Sequence, residues 1–292
     1  MLRIFADLTK FGIVLFSILA GLIGYAAGYQ SEVHFDLHHF LNFLLGLYFL
    51  SSGSLALNQA QEWKLDQKMN RTSKRPVAAG KLTPSAAGLL ALFFLVAGAQ
   101  LLFSASLLAG ALGLISVFLY NGAYTLYWKR QWAFAAVPGA IPGALPVTIG
   151  YAAINSHIFS PESVYLFLIM FLWQMPHFWV LTIKYKEDYA QGGVPVLPVA
   201  RGVSVTLYHI VVYTLAYIGV AFAAPLFFQV SWMYVLFFAP ISVKLLLDLR
   251  RYYRSNAEQK WLSFFMWINI SLFVFLAVPV IDKWNFLFTR SN

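Results

Sequence analysis

The chain contains no cysteine among its 292 residues. This absence excludes disulfide bonds, thiolate metal sites and a cysteine nucleophile. Charge is also scarce, because charged residues make up 11% of the chain and about 25% of a typical soluble domain. Hydrophobic residues make up 60% of it, and the mean hydropathy is +0.70. This composition predicts a membrane protein, with the lipid bilayer as its surroundings and partner.

Nine apolar segments are long enough to cross a membrane as helices. They lie at about 11–29, 39–57, 85–104, 107–127, 136–154, 163–182, 204–227, 231–247 and 261–280. The predicted fold class is therefore all-α, a polytopic membrane protein with a single bundle of nine transmembrane helices. No low-complexity linker divides the chain, so residues 1–292 are expected to form one domain. No cleavable signal or transit peptide is evident.

The basic residues alternate along the chain. All but two of the 20 (Lys283 and Arg290) lie at the N-terminus or in the even-numbered loops. The positive-inside rule then places the N-terminus and those loops in the cytoplasm and the C-terminus outside, in the cell inner (cytoplasmic) membrane. The net charge of +9 thus reports topology, and no nucleic-acid partner is predicted. Cytoplasmic active-site loops are expected at about 58–84, 128–135 and 183–203.

The first of these loops opens with a polar island. Its oxygen-bearing side chains recur at every fourth position, which puts them on one face of a helix: Asn58, Glu62 and Asp66. Cations follow at once: Arg71, Lys74 and Arg75. Carboxylate and amide oxygens suit Mg²⁺, and clustered cations suit phosphate. The pattern predicts a site for a lipid diphosphate with magnesium.

Two more cytoplasmic segments carry similar groups. The sixth loop contains Lys184, Glu187 and Asp188, and the fourth begins with Lys129 and Arg130. Taken alone, each is typical of an interfacial loop whose lysines and arginines extend to the headgroups. Several such loops on one membrane face favour a shared anion site. Asn121 precedes the fourth loop at membrane depth, where a polar side chain needs a partner or a function.

Two spans have compositions that indicate a cavity. The fifth has three prolines and three glycines between Pro138 and Gly150, which is typical of close helix packing or of an unwound segment. The sixth contains Trp173, Gln174 and His177, with the last two on one helix face. An intramembrane histidine either bonds to a neighbouring helix or lines a functional cavity.

These motifs together resemble the UbiA superfamily of intramembrane aromatic prenyltransferases, and within it the haem O synthase branch. The N-x3-D-x3-D-x2-M-x-R-T-x2-R motif of that branch stands here as Asn58, Glu62, Asp66, Met69, Arg71, Thr72 and Arg75. A tyrosine-rich segment ends at Lys129 and Arg130. The W-Q-x-P-H segment is matched from Trp173 to His177, and D-Y-x4-P-x-L-P from Asp188 to Pro198.

The resemblance implies transfer of a farnesyl group from farnesyl diphosphate to a vinyl group of haem b, giving haem O, with Mg²⁺ as cofactor. It further implies a partner that receives the product for haem A synthesis. It assigns catalytic roles to Asn58, Glu62, Asp66, Lys184 and Asp188. Metal ligands are expected among Asn58, Glu62, Asp66, Glu187 and Asp188. The expected diphosphate ligands are Arg71, Lys74, Arg75, Lys129 and Arg130, and the expected haem-side cavity comprises Asn121, Trp173, Gln174 and His177.

Two positions depart from the family pattern. Glu62 stands where aspartate is usual, and Lys184 stands at the first position of the second D-x3-D motif. The resemblance therefore leaves open whether one or two metal ions bind. Two other functions also remain: a prenyltransferase for another aromatic acceptor, such as a quinone precursor or a chlorophyllide, and a non-catalytic haem or lipid transporter.

Overall fold

The computed structural model describes residues 2–30, 34–258 and 260–290, and the side chains of these residues except Leu2 and 286–290. All regular structure in these ranges is helical. Nine helical segments of the described chain are long and apolar enough to cross a membrane. The predicted all-α fold with nine spans is confirmed.

The spans lie close to their predicted positions. Eight are continuous helices: α2 (Phe11–Gly28), α3 (Leu37–Asp66), α4 (Pro84–Ala105), α7 (Ala136–Ile154), α8 (Pro161–Lys184), α11 (Val203–Phe222), α12 (Trp232–Arg254) and α13 (Trp261–Arg290). The fourth span joins α5 (Leu107–Val117), a π-helix (Phe118–Trp128) and α6 (Lys129–Gln131). Three short helices, α1 (Leu2–Thr9), α9 (Lys186–Gln191) and α10 (Leu197–Ala200), lie outside the spans, and a 3₁₀ turn (Ala224–Leu226) follows α11.

The second span extends further than its apolar run predicts. Helix α3 continues beyond 57 to Asp66, so the start of the expected loop at 58–84 is helical. Glutamine, glutamate, lysine and leucine all favour helices. Gln59 also anchors this extension, because its Nε2 donates to the carbonyls of Asp7 and Leu8 at 2.8 and 2.9 Å. The polar face of α3 is thereby fixed on a rigid element.

The π-helix was not predicted. Its i→i+5 bonding widens the helix, and such segments are rare and concentrated at functional sites. Side chains four apart along it all point to α3. Asn121 Nδ2 donates to the Ser54 carbonyl at 2.9 Å, and Thr125 Oγ1 accepts from Asn58 at 3.3 Å. Lys129, just after the π-helix, reaches the same face.

Helix α7 is continuous in spite of its prolines, so of the two alternatives for the fifth span, close packing is correct. Pro146 has no N–H for the carbonyl of Pro142, four residues earlier. The Ser116 hydroxyl donates to that carbonyl instead, at 3.2 Å. The glycines permit close contact with α2: a Cβ on Gly150 would lie 1.9 Å from the Gly21 carbonyl oxygen.

We expect Gly24→Ala and Gly150→Ala each to destabilise the bundle by about 1–3 kcal/mol, the usual cost of overpacking. A Cβ on Gly24 would lie 1.8 Å from the Val147 carbonyl oxygen, and backbone cannot yield as a flexible side chain can. Gly219→Ala is the matched control, because nothing lies within 4 Å of a Cβ there. Thermal melting of the detergent-solubilised protein tests this. Equal melting of all three variants would contradict the assigned α2–α7 contact.

Candidate active site

The acidic face of α3 is buried and paired with cations. Glu62 and Asp66 are each 1% exposed, and a buried carboxylate needs a partner to remain charged. Lys129 Nζ lies 2.8 Å from both oxygens of Glu62. Arg75 Nη1 lies 2.7 and 2.8 Å from the two oxygens of Asp66. The two ion pairs join α3 to the fourth span and to the loop that follows α3.

Asn58 connects this face to a cation that sequence reasoning used only for topology. Its Nδ2 donates to Glu62 Oε2 at 2.8 Å, and its Oδ1 accepts from Lys10 Nζ at 3.2 Å. Lys10 lies between α1 and α2 with φ of 50°. Burial, reinforced by the nearby Arg75 and Lys129, lowers the pKa of Lys10 to about 7. The only signal in the sequence was a lone lysine at the start of the first span.

The cluster therefore carries three cations, Lys10, Arg75 and Lys129, beside two carboxylates. A mixed cluster with an excess of cations suits a polyanion that binds together with a metal ion. The cations can bind the anion while the carboxylates bind the metal ion. Without such a ligand, Arg75 and Lys129 pair with the two carboxylates and Lys10 contacts the neutral Asn58 amide.

The second and sixth loops meet beside this cluster. The Arg71 backbone N–H donates to Asp188 Oδ2 at 3.0 Å, and Arg71 Nη2 donates to the Tyr189 hydroxyl at 2.9 Å. The guanidinium also lies over the rings of Tyr185 and Tyr189, 4.9 and 5.2 Å from their centroids. Met69 packs beneath this junction in a small apolar cluster with Tyr189. The structure thus brings the two acidic loops together.

Four other predicted site residues are not part of this contact network. Lys184 lies over the Trp261 ring, 4.9 Å from its centroid. Lys74, Arg130 and Glu187 are exposed, and none forms a hydrogen bond or an ion pair with a described side chain.

An apolar cavity lies deeper in the membrane than the charged cluster. Its volume is about 120 Å³, and α2, α3, α5, the π-helix and α7 line it through residues such as Leu47, Ser54, Tyr120 and Ile149. Tyr120 stacks on Tyr124, with centroids 6.0 Å apart. Ligand sites usually hold about 300–1,000 Å³, so side chains must move to admit a long prenyl chain.

Asn121 belongs to this side of the molecule. Its Oδ1 accepts from Ser54 Oγ at 2.6 Å, and its Nδ2 also contacts Gln61 Oε1 at 3.4 Å. Predicted for the haem-side cavity with the residues of the sixth span, it contacts α3 instead. It supports the wall between the cavity and the charged cluster.

The other three predicted haem-side residues lie on α8, and two of them, Trp173 and His177, form an aromatic group. The centroids of Trp173 and His177 lie 4.5 Å apart, and Phe16 of α2 stacks on Trp173 at 5.2 Å. His177 Nδ1 lies 2.9 Å from Asn269 Oδ1 of α13. Gln174 is committed to packing, because its Nε2 donates to the carbonyls of Ala140 and Met170 at 3.0 Å. Sequence reasoning missed Asn269, which no motif marks.

The residues on α3 fit the predicted magnesium ion. The two oxygens of Glu62 hold one ammonium nitrogen between them, and those of Asp66 hold one guanidinium nitrogen, both at distances below 3 Å. Each carboxylate is therefore shaped to chelate a single cation. Among the described residues, no three histidines or acids lie close enough to hold a metal unaided. Mg²⁺ commonly takes one or two carboxylates and completes its shell with phosphates and water.

Known proteins agree with this architecture. The chain belongs to the UbiA prenyltransferase family, whose sequence profile matches residues 14–270. It is 63% identical to the protoheme IX farnesyltransferase of Bdellovibrio bacteriovorus over 292 residues, covering 100% of both chains. The predicted family and the predicted class of enzyme, a prenyltransferase, are confirmed.

Solved structures share the fold at much lower identity. A digeranylgeranylglyceryl phosphate synthase superposes with a TM-score of 0.77 at 17% identity, covering 96% of this chain and 98% of that one. A UbiA homologue from Archaeoglobus fulgidus, solved with GPP and Mg²⁺, gives a TM-score of 0.64 at 14% identity, covering 97% and 98%. Mg²⁺ is thus bound by a protein with this fold.

We expect Lys10→Met to weaken the binding of inorganic diphosphate with Mg²⁺ by about tenfold or more, since a hydrogen bond to a charged group contributes about 1.5–3 kcal/mol. The contribution of Lys10 should also depend on pH. Below a pKa of about 7 the ammonium is protonated and attracts the anion, and above it this attraction is lost. The difference in affinity between wild type and variant should therefore shrink as pH rises through neutrality.

Isothermal titration calorimetry across pH 6–9 measures both effects. Lys81→Met, which alters an exposed lysine of the second loop, is the control. A Lys10→Met affinity equal to that of wild type at pH 6 would remove Lys10 from the anion site.

Proposed function

We propose that the chain transfers the farnesyl group of farnesyl diphosphate to a vinyl group of haem b, giving haem O. The observation that carries this proposal is the 63% identity over the full length to a protoheme IX farnesyltransferase. This relative confirms the predicted type of enzyme, a protoheme IX farnesyltransferase. The charged cluster, the apolar cavity and the aromatic group supply the parts that such a reaction needs.

The diphosphate end of the substrate is assigned to the charged cluster. Lys10, Arg75 and Lys129 leave their present partners and bind phosphate oxygens, which releases Asn58, Glu62 and Asp66 as metal ligands. Mg²⁺ bound there would neutralise charge on the leaving diphosphate. Arg71 is held by Asp188 and Tyr189 at the edge of the cluster, so we assign it to the same phosphates.

The reaction breaks the bond between the first carbon of the farnesyl chain and the diphosphate oxygen, which keeps the electron pair. Lys10, Arg75 and Lys129 stabilise the charge that develops on that oxygen. The faces of Tyr120 and Tyr124 border the same space and can stabilise the allylic cation. The apolar chain extends from Ser54 towards Leu47 in the cavity, where exclusion of water protects the cation from early hydrolysis.

The acceptor end is assigned to the aromatic group around His177. Its vinyl π electrons attack the allylic cation and form the new carbon–carbon bond. Water then captures the resulting benzylic-type cation and loses a proton, leaving a hydroxyethylfarnesyl substituent. Phe273, which borders an apolar groove of about 520 Å³ between α2 and α13, lies 5.8 Å from Phe16 of this group. That groove gives a lipid-soluble acceptor an approach from the bilayer.

The protein is a multi-pass membrane protein, and we propose that its N-terminus and charged cluster face the cytoplasm. Lysine and arginine are concentrated at one end of the spans, and this distribution supports a cytoplasmic location for that end. The charged cluster lies at that same end, where water-soluble diphosphate product can leave.

Incubation of purified protein with haem b, farnesyl diphosphate and Mg²⁺ should yield haem O, detected by mass. Asp66→Asn should reduce turnover by at least about a hundredfold, because it removes the charge of a metal ligand while keeping its shape. Glu258→Gln, at an exposed acid, is the matched control. Near-normal turnover by folded Asp66→Asn would refute the assigned metal ligand. Product from a quinone precursor but none from haem b would refute the assigned acceptor.

Reporter fusions test the orientation. A reporter fused after the last residue should be located outside the cytoplasm. A reporter inserted near Lys81 should be located inside it. A cytoplasmic C-terminus would contradict the odd number of crossings, and an external second loop would invert the whole assignment.

A further inference from the structure

The His177 ring is held in place by a second helix. Its Nδ1 lies 2.9 Å from Asn269 Oδ1 on α13. Its centroid lies 4.5 Å from that of Trp173 and 4.9 Å from that of Phe265. These contacts restrict rotation of the ring, so its two nitrogens occupy distinct and lasting positions.

The direction of the His177–Asn269 hydrogen bond follows from the other contact of Asn269. Its Nδ2 donates to the backbone carbonyl of Phe265, and a carbonyl can only accept. The amide oxygen of Asn269 must therefore face His177, and this oxygen also can only accept. His177 Nδ1 accordingly carries the proton. A neutral imidazole has a single N–H, so its Nε2 presents a lone pair.

That lone pair has no hydrogen-bond partner in the described part of the chain. The indole N–H of Trp173, one turn away on α8, is buried and also lacks a partner. Buried polar groups are normally satisfied within the protein or by a bound molecule. A buried indole N–H without a partner, beside an imidazole lone pair that no described group occupies, therefore indicates a site that a ligand completes.

We propose that Asn269 is a positioning residue that fixes His177 in the Nδ1-protonated tautomer, so that Nε2 ligates the iron of haem b. This inference rests on the proposed function, because it takes haem b as the acceptor. Histidines that bind metals usually donate their other N–H to an acceptor, which sets the tautomer and raises the basicity of the ligating nitrogen. With the proton on Nδ1, His177 binds the acceptor through iron and not as a donor to a polar haem group.

Iron ligation fixes the porphyrin at one depth in the membrane. A planar acceptor held only by apolar contacts can slide and rotate, whereas a bond from iron to Nε2 limits both motions. Positioning of this kind is a large share of catalysis when two substrates must meet. Asn269 then acts on the reaction only through His177.

Resonance Raman spectroscopy of ferrous haem b bound to the purified protein measures the iron–histidine stretch directly. We expect such a band in the wild type. It should move to higher frequency in Asn269→Asp, because a carboxylate is the stronger acceptor, and to lower frequency or be lost in Asn269→Leu. Haem b affinity should fall by about 10- to 100-fold in Asn269→Leu, while the affinity for metal-free protoporphyrin IX stays unchanged.

Two further variants separate positioning from packing. Ser271→Ala removes another interhelical bond of α13, the 3.1 Å contact with the Tyr217 hydroxyl, and should leave the band in place. His177→Gly should lose the band and regain it when imidazole is added. The Asn269→Asp shift decides the matter alone if the leucine variant does not fold.

A band at one frequency in wild type, Asn269→Asp and Asn269→Leu would overturn the proposal. So would an equal loss of affinity for haem b and for metal-free protoporphyrin in Asn269→Leu, which indicates packing. Turnover of haem b by a wild type without the band overturns the iron ligand and leaves the function intact. A histidine-dependent band without turnover supports the ligand and contradicts the function.

Discussion

The structure depends on keeping two carboxylates charged at the buried end of α3. Glu62 and Asp66 are almost fully removed from solvent, and a buried charge without a partner costs several kcal/mol. Their partners come from parts of the chain that are far apart: Arg75 follows α3, and Lys129 ends the fourth span. Asn58 brings in Lys10 from the start of α2. These contacts join three segments of the chain to α3, and the groups that we assign to the substrate meet there.

Pairs of this kind also explain how the protein remains stable before substrate arrives. Each cation that is assigned to phosphate currently neutralises or contacts a group that is assigned to metal. When a diphosphate–magnesium complex replaces these internal pairs, the net charge inside the site stays nearly constant. Binding is thus an exchange of partners, which avoids the desolvation cost of opening an empty charged pocket.

The acidic face of α3 could be predicted because its fourfold spacing is visible in the sequence and survives folding unchanged. The proximity of Arg71 and Asp188 could be predicted, because their charged loops were expected on one side of the membrane. Their contact through the Arg71 backbone could not be predicted. Lys10 and Asn269 could not be found in this way. Each is a lone polar residue whose role depends on which helix packs beside it, as Asn58 does for Lys10 and His177 for Asn269. The π-helix likewise depends on contacts with α3 that local propensity does not encode.

The groups that we assign to the two substrates lie at similar depth. Asn58 precedes the end of α3 at Asp66, and His177 precedes the end of α8 at Lys184, which at 1.5 Å per residue is about 12 and 10 Å. Both helices end on the same side of the bundle. The close α2–α7 contact, at Gly24 and Gly150, holds the helices between them in fixed register. On the proposed assignment, the first carbon of a prenyl chain anchored by its diphosphate would lie at the level where an acceptor beside His177 presents its edge, and neither substrate would have to move along the membrane normal for the new bond to form.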